Sequence, residues 1–214
     1  MQFPQDLSGR HRIAILMADP SWRTAPFGDP TWALFAHACL SNIVDDPSQI
    51  ASWFDLHRPE IWRQKKSWHP DYQHWLAHQS TSIFMQAEYP EVPASRPYPF
   101  AGIRQLFPSA PFAGTLDWMI AFALSLGATE LGIYGVEYQS PHERLYQRFG
   151  TAYWVGMARG MGVPVTLPPG CRLLDNILPG EYGPDFPPWP PGHHPNDWLT
   201  QDWIMDRIAS EAFP

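Results

Sequence analysis

The sequence predicts an α/β fold: a single Rossmann-like domain with a mostly parallel sheet, helices on both faces, and a C-terminal arm rich in proline and aromatic residues. Short apolar runs indicate strands that are buried on both sides. In the second half of the chain, helix, short loop and strand alternate, which is the rhythm of βαβ units. We therefore expect the α/β domain over residues 1–175 and the extended arm over residues 176–214.

Four apolar runs in the first half of the chain predict strands, at residues 13–17, 32–36, 53–57 and 82–86. Residues 71–79 predict a short helix that begins near Asp71. Residues 89–100 contain four prolines. Because proline lacks an N–H group and fixes its own φ, we expect an extended loop there.

An apolar helix opens the second half of the chain, beginning at Gly114 and Thr115 and running to Leu126. Thr115 can cap its N-terminus, and Gly127 suits the left-handed position after its end. Two further strands, at residues 131–136 and 163–167, flank a second helix over about residues 143–161. In the arm, residues 184–195 are too rich in proline for regular structure, and residues 197–212 predict a short terminal helix.

Composition bounds the class of protein. The chain has 214 residues, 44% of them apolar, so it can bury a sizeable core. Its 25 prolines are more than twice the usual share of about 5%, which excludes a long helical bundle or coiled coil. A net charge of −7 argues against a duplex-DNA binder, because such proteins carry a basic surface.

The sequence shows no sign of export or membrane insertion. Residues 1–12 contain no apolar signal core, and the longest apolar stretch, residues 116–126, falls short of the roughly 20 residues that span a bilayer. Two cysteines are too few for a disulfide scaffold or a cysteine-rich zinc module. We expect a soluble cytoplasmic protein without membrane contacts.

Ligands of open parallel sheets bind beyond the carboxyl ends of the strands, near the point where the strand order reverses. Polar residues follow each predicted strand there: Asp19 and Ser21, His37 and Asn42, His57, Gln86 and Glu88, Glu137 and Tyr138. They fit a polar pocket, although polar loops are common in any protein. The loop after the first strand, residues 18–21, has no glycine and matches neither the dinucleotide nor the P-loop motif. Asp19 would repel a pyrophosphate unless a cation or Arg23 compensated for its charge.

Two segments are candidates for binding an anion. The start of the helix at Gly114 and Thr115 offers free N–H groups and a favourable dipole, but Asp117 in the first turn can satisfy that dipole instead. The densest polar cluster spans residues 137–148. Within it Arg144 and Arg148 are four residues apart and share a helix face that can grip a phosphate or carboxylate. Glu143 and Gln147 share a face in the same way. A solvated helix start is the alternative, and we favour a functional cluster.

Two other patterns are more simply structural. His74 and His78 are four residues apart, but no Glu follows His74 and no third ligand is evident, so we predict no metal site. Four tryptophans could stack nucleic-acid bases, as in single-strand binders. With little positive charge around them, we interpret them as anchors of the core or of an interface: Trp53, Trp62, Trp68 and Trp75.

Residues 114–137 carry a helix followed by L-G-A-T-E-L-G-I-Y-G-V-E, which is close to the pattern L-G-x-x-E-I-x-L-x-G-x-D. This segment resembles a Rossmann-like superfamily that includes the bacterial lipooligosaccharide sialyltransferases, which use CMP-sugars, and the MptE-like pterin diphosphokinase group. That similarity covers about residues 110–140, with Glu137 in place of the family's Asp.

A broader resemblance, over residues 10–175, is to uncharacterised Rossmann-like proteins of tailed bacteriophages. It rests on four segments that match their patterns: W-F-D-L-H at residues 53–57, Y-P at 98–99, E-x-x-Y-Q-R at 143–148 and Y-x-x-G-x-A-x-G-x-G at 153–162.

The resemblances imply a phage-type nucleotide-binding protein, with a transferase acting on a nucleotide or nucleotide-sugar as the leading hypothesis. His57 or His142 would be the general base, with Glu137 beside them. The ligand-binding residues would be Ser21, Thr115, Glu143, Gln147, Arg148 and Tyr153. No cofactor is predicted beyond the nucleotide itself. A phage-encoded enzyme of this kind would act in the host cytoplasm.

Two rival functions belong to other classes. The chain could be a non-catalytic structural or interaction protein that kept the fold, with its arm binding a second subunit or another phage protein, and we expect a homo-oligomer. It could also be a factor that binds a nucleotide signal without turnover. Fold does not decide among these functions.

Overall fold

The computed structural model describes residues 11–64, 66, 69–136, 147–171 and 173–174. They contain one seven-stranded sheet in which every neighbouring pair of strands is parallel. The strand order is β5-β4-β3-β2-β1-β6-β7. The strands are β1 (Arg12–Leu16), β2 (Trp32–His37), β3 (Ile50–Phe54), β4 (Ile83–Met85), β5 (Ser95–Pro97), β6 (Glu130–Tyr134) and β7 (Val165–Thr166). The predicted fold class is confirmed.

Helices cover both faces of this sheet. They are α1 (Pro59–Trp62), α2 (Tyr72–His78), α3 (Phe100–Leu106), α4 (Thr115–Ser125) and α5 (Arg148–Gly160). Alternate residues of β1 face opposite sides, as the period of a strand requires. Ile13 and Ile15 pack into the core with α3, α4 and α5, whereas Ala14 and Leu16 pack into the core with α1 and α2. Both faces of β1 are therefore buried, which is why its sequence is almost continuously apolar.

The helix α4 begins and ends close to the predicted positions, but its cap differs from the prediction. Thr115 does not cap it; Gly114 is the N-cap and Thr115 is the first helical residue. The Asp117 carboxylate reaches back and accepts hydrogen bonds from the N–H groups of Ala113 and Gly114, so the start of the helix is fixed by Asp117. After the helix Gly127 adopts φ +76°, the left-handed conformation expected there.

The structure corrects two other sequence predictions. The third strand ends at Phe54, because the carboxylate of Asp55 accepts the N–H of His57 and turns the chain. His57 therefore lies in the loop beyond the strand. The predicted loop at residues 89–100 contains β5, an edge strand whose position tolerates Pro97.

Several predictions lie outside the described residues. They include the polar segment 137–146, the first residues of the helix predicted at 143–161, and the arm with its terminal helix. Among the described helices, none is long and apolar enough to span a membrane.

Candidate functional site

The strand order reverses between β1 and β6. The chain moves outward from β1 through β5 on one side, then crosses over β1 to place β6 and β7 on the other. After β1 the chain turns to the face of α1 and α2, where Trp22 packs, and after β6 it continues to α5 on the opposite face, so a crevice lies between the two connections at the carboxyl edge of the sheet. In open α/β sheets this is the place where ligands bind.

A small cavity lies in this crevice. It is lined by Met17, Ala18, Asp19, Leu116, Gly135, Val136 and Gln147. Its volume is about 70 Å³, whereas pockets that enclose a whole ligand measure about 300–1,000 Å³. The cavity therefore has room for one small chemical group, and the rest of a larger ligand would lie along the edge of the sheet.

Gly135 allows the two loops of the crevice to approach each other. It adopts φ +73°, and a Cβ at this position would lie 2.1 Å from the carbonyl oxygen of Met17. The backbone N–H of Asp19 donates to the Gly135 carbonyl at 3.1 Å. No residue with a side chain fits here without moving the loop after β1.

Ser21, one of the predicted ligand-binding residues, links the same loops. Its Oγ accepts a 2.8 Å hydrogen bond from the N–H of Gly135. Ser21 thus holds the loop after β1 against the loop after β6, and in this position it shapes the rim of the crevice.

Two other predicted residues meet at the start of α4. Gln147 lines the cavity, and its side chain packs on Gly114, where a Cβ would lie 3.5 Å from Gln147 Cδ. Thr115 begins the helix beside them. The structure therefore brings Gln147, Thr115 and the crevice together, although they are far apart in the sequence.

Asp117 lies in the first turn of α4 and is almost fully buried, with 1% of its surface exposed. Its Oδ1 accepts the hydroxyl of Thr151 at 2.9 Å, and its Oδ2 lies so close to Gly150 that a Cβ there would clash. Burial raises the pKa of Asp117 to about 6, against the effect of its hydrogen bonds. Its carboxylate makes the start of α4 less favourable for a bound anion when it is ionised.

Arg148 and Tyr153 lie on α5. The Nε of Arg148 donates a 2.8 Å hydrogen bond to the carbonyl of Leu173, which ties the start of α5 to the chain beyond β7. Tyr153 is exposed, packs edge-on against Trp154, and does not line the cavity. The remaining predicted site residues, Glu137, His142 and Glu143, lie outside the described residues.

A second group of polar side chains lies at the carboxyl end of β3. Asp55 is 3% exposed and accepts a 2.6 Å hydrogen bond from Nδ1 of His57. The other carboxylate oxygen accepts the hydroxyl of Tyr72, also at 2.6 Å. Burial pushes the pKa of Asp55 upward, but the hydrogen bonds from His57 and Tyr72 outweigh burial and hold it below its usual value. The carboxylate is therefore ionised and orients the His57 ring, whose side chain is 46% exposed.

His37 and Cys39 belong to the same edge, at the end of β2. The Nδ1 of His37 accepts the backbone N–H of Cys39 at 3.1 Å. Burial lowers the pKa of His37 to about 4, so this imidazole is neutral at pH 7. Burial also raises the pKa of Cys39 to about 12, which leaves it as an unreactive thiol.

The two parts of the edge are close enough for one ligand to touch both. The cavity lies between the ends of β1 and β6, and β2 separates β1 from β3. At a strand spacing of about 4.8 Å, β3 lies about 10 Å from β1. The His57 ring therefore lies within reach of a molecule whose other end occupies the cavity.

Sequence reasoning identified some of this site and missed the rest. The W-F-D-L-H pattern pointed to His57 but gave no role to Asp55, although an aspartate two residues before a histidine was the available signal. Tyr72 was missed because its contact with Asp55 joins α2 to β3. Gly135 was missed because only the tertiary approach of Met17 creates the need for glycine.

The structure describes part of the tryptophan group and both members of the His74 and His78 pair. Trp53 and Trp62 are fully buried, in keeping with the interpretation as core anchors. His78 donates through Nδ1 to the carbonyl of His74 within α2. Within the described ranges, no three His, Cys, Asp or Glu side chains are grouped so that they could hold a metal ion.

Comparison with known proteins gives no relative for this chain: no family model, no curated protein and no solved structure matches it.

Proposed function

We propose that this chain is a nucleotide-binding transferase of the kind that tailed bacteriophages encode, acting on a nucleotide or nucleotide-sugar in the host cytoplasm. A phosphate or another small polar group of the donor occupies the cavity between the ends of β1 and β6. The Asp55–His57 pair is the general base that activates the hydroxyl of an acceptor. The sequence resemblance over residues 10–175 supports the phage-type assignment.

The observation that carries the proposal is the 2.6 Å hydrogen bond between Asp55 and His57, at the same edge of the sheet as the cavity between the ends of β1 and β6. A buried carboxylate that fixes Nδ1–H leaves Nε2 of the imidazole as a directed base. Perturbed, paired groups in a crevice are typical of functional sites.

The transfer forms one bond and breaks one. Nε2 of His57 takes the proton of the acceptor hydroxyl. The oxygen of that hydroxyl forms a bond to the transferred group. The bond between that group and the nucleotide phosphate breaks, and the phosphate oxygen leaves with the electron pair. The Asp55 carboxylate stabilises the imidazolium that forms and keeps the ring oriented.

A variant at His57 separates binding from chemistry. His57→Asn is expected to keep nucleotide affinity, because the cavity between β1 and β6 lies about 12 Å from β3 at a strand spacing of about 4.8 Å. The variant should lose about 10²- to 10⁴-fold in the release of CMP or UDP from nucleotide-sugars in the presence of acceptor sugars. His78→Asn, at an exposed helix position, is the matched control and should leave the release rate unchanged. An unchanged rate in His57→Asn would exclude His57 as the base.

One observation favours a rival from another class, a non-catalytic interaction protein that retains the fold. The loop after β1 lacks the phosphate-binding glycines, and Asp19 contributes a negative charge to a cavity that is small. For this rival, deletion of residues 183–214 should change the oligomeric mass measured by light scattering, and no nucleotide should bind. An unchanged mass would leave the arm without a role in assembly.

A further inference from the structure

Two histidines stand side by side at the carboxyl edge of the sheet. The ring centroids of His37 and His57 are 5.8 Å apart, and the ring planes are nearly perpendicular at 89°. Each ring uses Nδ1 in a hydrogen bond, with Cys39 and Asp55 respectively. Among the described residues, neither Nε2 has a hydrogen-bond partner. These two Nε2 atoms are the polar atoms that the pair offers to a ligand.

The tautomer of His37 is fixed by its partner. A backbone N–H can only donate, so the Nδ1 that accepts from Cys39 must carry the lone pair. Burial keeps the ring neutral at pH 7 by lowering its pKa to about 4, although the nearby charge of Asp55 acts in the opposite direction. In a neutral imidazole without a proton on Nδ1, the proton is on Nε2. His37 therefore offers a hydrogen-bond donor.

The tautomer of His57 is the opposite one. The ionised carboxylate of Asp55 can only accept, so Nδ1 of His57 carries a proton toward it. In the neutral ring, Nε2 of His57 then carries the lone pair. With both rings neutral, the neighbouring imidazoles present one donor and one acceptor, and the backbone N–H of Cys39 and the carboxylate of Asp55 fix which Nδ1 carries the proton.

We propose that His37 and His57 together form an acceptor subsite that selects a neutral hydroxylated group, such as the vicinal hydroxyls of a sugar. A hydroxyl both donates and accepts. Its proton can be donated to Nε2 of His57. Its oxygen, or the oxygen of a neighbouring hydroxyl, can accept from Nε2–H of His37. This inference rests on the proposed function, because it names the acceptor class of that same transfer. His37 gains a role as a substrate-binding residue beside the base.

The same pair discriminates against charged acceptors. A protonated amine has only donors and would leave the Nε2–H of His37 facing another N–H group. A phosphate dianion has only acceptors and would face the lone pair of His57. Either mismatch leaves a polar group unpaired at the edge, which costs about tenfold or more in affinity.

The tautomers are tested directly by NMR on the full chain with ¹⁵N-labelled histidine. Two-bond ¹H–¹⁵N correlations should show His37 protonated on Nε2 and His57 protonated on Nδ1 near pH 7. His37→Asn and His57→Asn assign the two rings, and His37→Gln replaces the first variant if it does not fold. A proton on Nδ1 of His37 would overturn the proposal.

Selectivity is tested by titrating the same sample with three probes: methyl β-D-ribofuranoside, ethylammonium and inorganic phosphate. The riboside should shift the signals of both rings and bind about tenfold or more tightly than the ion probes. Equal responses, or no response of the two rings to the riboside, would overturn the acceptor assignment. Failure of the proposed function appears separately, as the absence of nucleotide binding in a chain that still prefers the riboside.

Discussion

The hydroxyl of Tyr72 donates a 2.6 Å hydrogen bond to Oδ2 of Asp55. This contact joins α2 to the end of β3 and engages the carboxylate oxygen that His57 does not use. Burial and the adjacent negative charge of Asp55 raise the pKa of Tyr72, so the hydroxyl keeps its proton and remains a donor. A helix on one face of the sheet thereby fixes the side chain that orients the candidate base.

Removing this hydroxyl should weaken the fold measurably. Tyr72→Phe leaves a buried carboxylate with one donor fewer, and we expect the free energy of unfolding to fall by about 1.5–3 kcal/mol, the scale of a hydrogen bond to a charged group. Urea denaturation measures this. Tyr89→Phe is the control, since the Tyr89 hydroxyl has no hydrogen-bond partner among the described residues and its ring also packs on a tryptophan. Equal losses in both variants would show that the hydrogen bond from Tyr72 to Asp55 adds nothing to stability.

Gly135 should be the least replaceable glycine of the crevice. Gly135→Ala forces a Cβ against the carbonyl of Met17 at a positive φ, so it should unfold at a clearly lower temperature and lose the cavity. The matched control is Gly156→Ala on α5, where a Cβ meets nothing within 4 Å. Because alanine favours a helix, that change should stabilise the chain by about 0.5–1 kcal/mol. Thermal denaturation compares the two, and a neutral Gly135→Ala would refute the close approach of the loops.

Asp117 should give stability an unusual dependence on pH. Its folded pKa of about 6 lies above the ordinary value of 3.8. Between these values the folded chain holds a proton that the unfolded chain has released. The free energy of unfolding therefore falls as pH rises from about 4 to about 6, by about 3 kcal/mol for this group.

His37 contributes in the opposite direction. Because burial lowers its pKa to about 4, the unfolded chain binds the proton first as pH falls, and stability rises with pH between about 4 and 6.5.

The variant Asp117→Asn removes the contribution of Asp117 that falls with pH, while the amide of the new side chain can still accept from Ala113 and donate to Thr151. Urea denaturation at pH 4.5 and 7.5 should show a steeper rise with pH in this variant than in the unaltered chain. Parallel profiles would contradict the raised pKa of Asp117.

Arg148 is the described member of the predicted arginine pair. If it also grips a phosphate, Arg148→Ala should weaken nucleotide binding by about 1.5–3 kcal/mol. Arg159→Ala serves as the control. Arg159 is exposed on the same helix, and its guanidinium makes a hydrogen bond of 3.5 Å to the carbonyl of Val165 in β7. If Arg148→Ala lowers stability but leaves affinity unaltered, Arg148 only secures Leu173.

The parts of the fold that were predictable are those that local pattern determines. Buried parallel strands give apolar runs, and Gly127 marks a helix end by its left-handed φ. The strand β5 was not predicted, because the prolines around it indicate a loop. It is an edge strand that pairs on one side only, and such a strand tolerates Pro97. The end of β3 was misplaced because the side chain of Asp55 turns the chain in competition with the strand.

The candidate site was less predictable because its contacts join distant segments. Strand-end logic named His37, His57 and Ser21. It could not reveal that Asp55 and Cys39 fix opposite tautomers, or that Ser21 receives the N–H of Gly135 from 114 residues away. Such pairings depend on the register of parallel strands, which no local pattern in the chain specifies.

The most direct test of the central claim is a thermal-shift screen of the full chain against nucleotides and nucleotide-sugars, including CMP- and UDP-linked ones. A ligand at 100 times its dissociation constant adds about 2.7 kcal/mol to the stability of the folded state, which is visible as a raised midpoint. We predict that at least one nucleotide raises the midpoint and that Gln147→Ala, which alters the cavity, reduces the shift. A folded chain that responds to none of them would contradict nucleotide binding and favour the interaction protein.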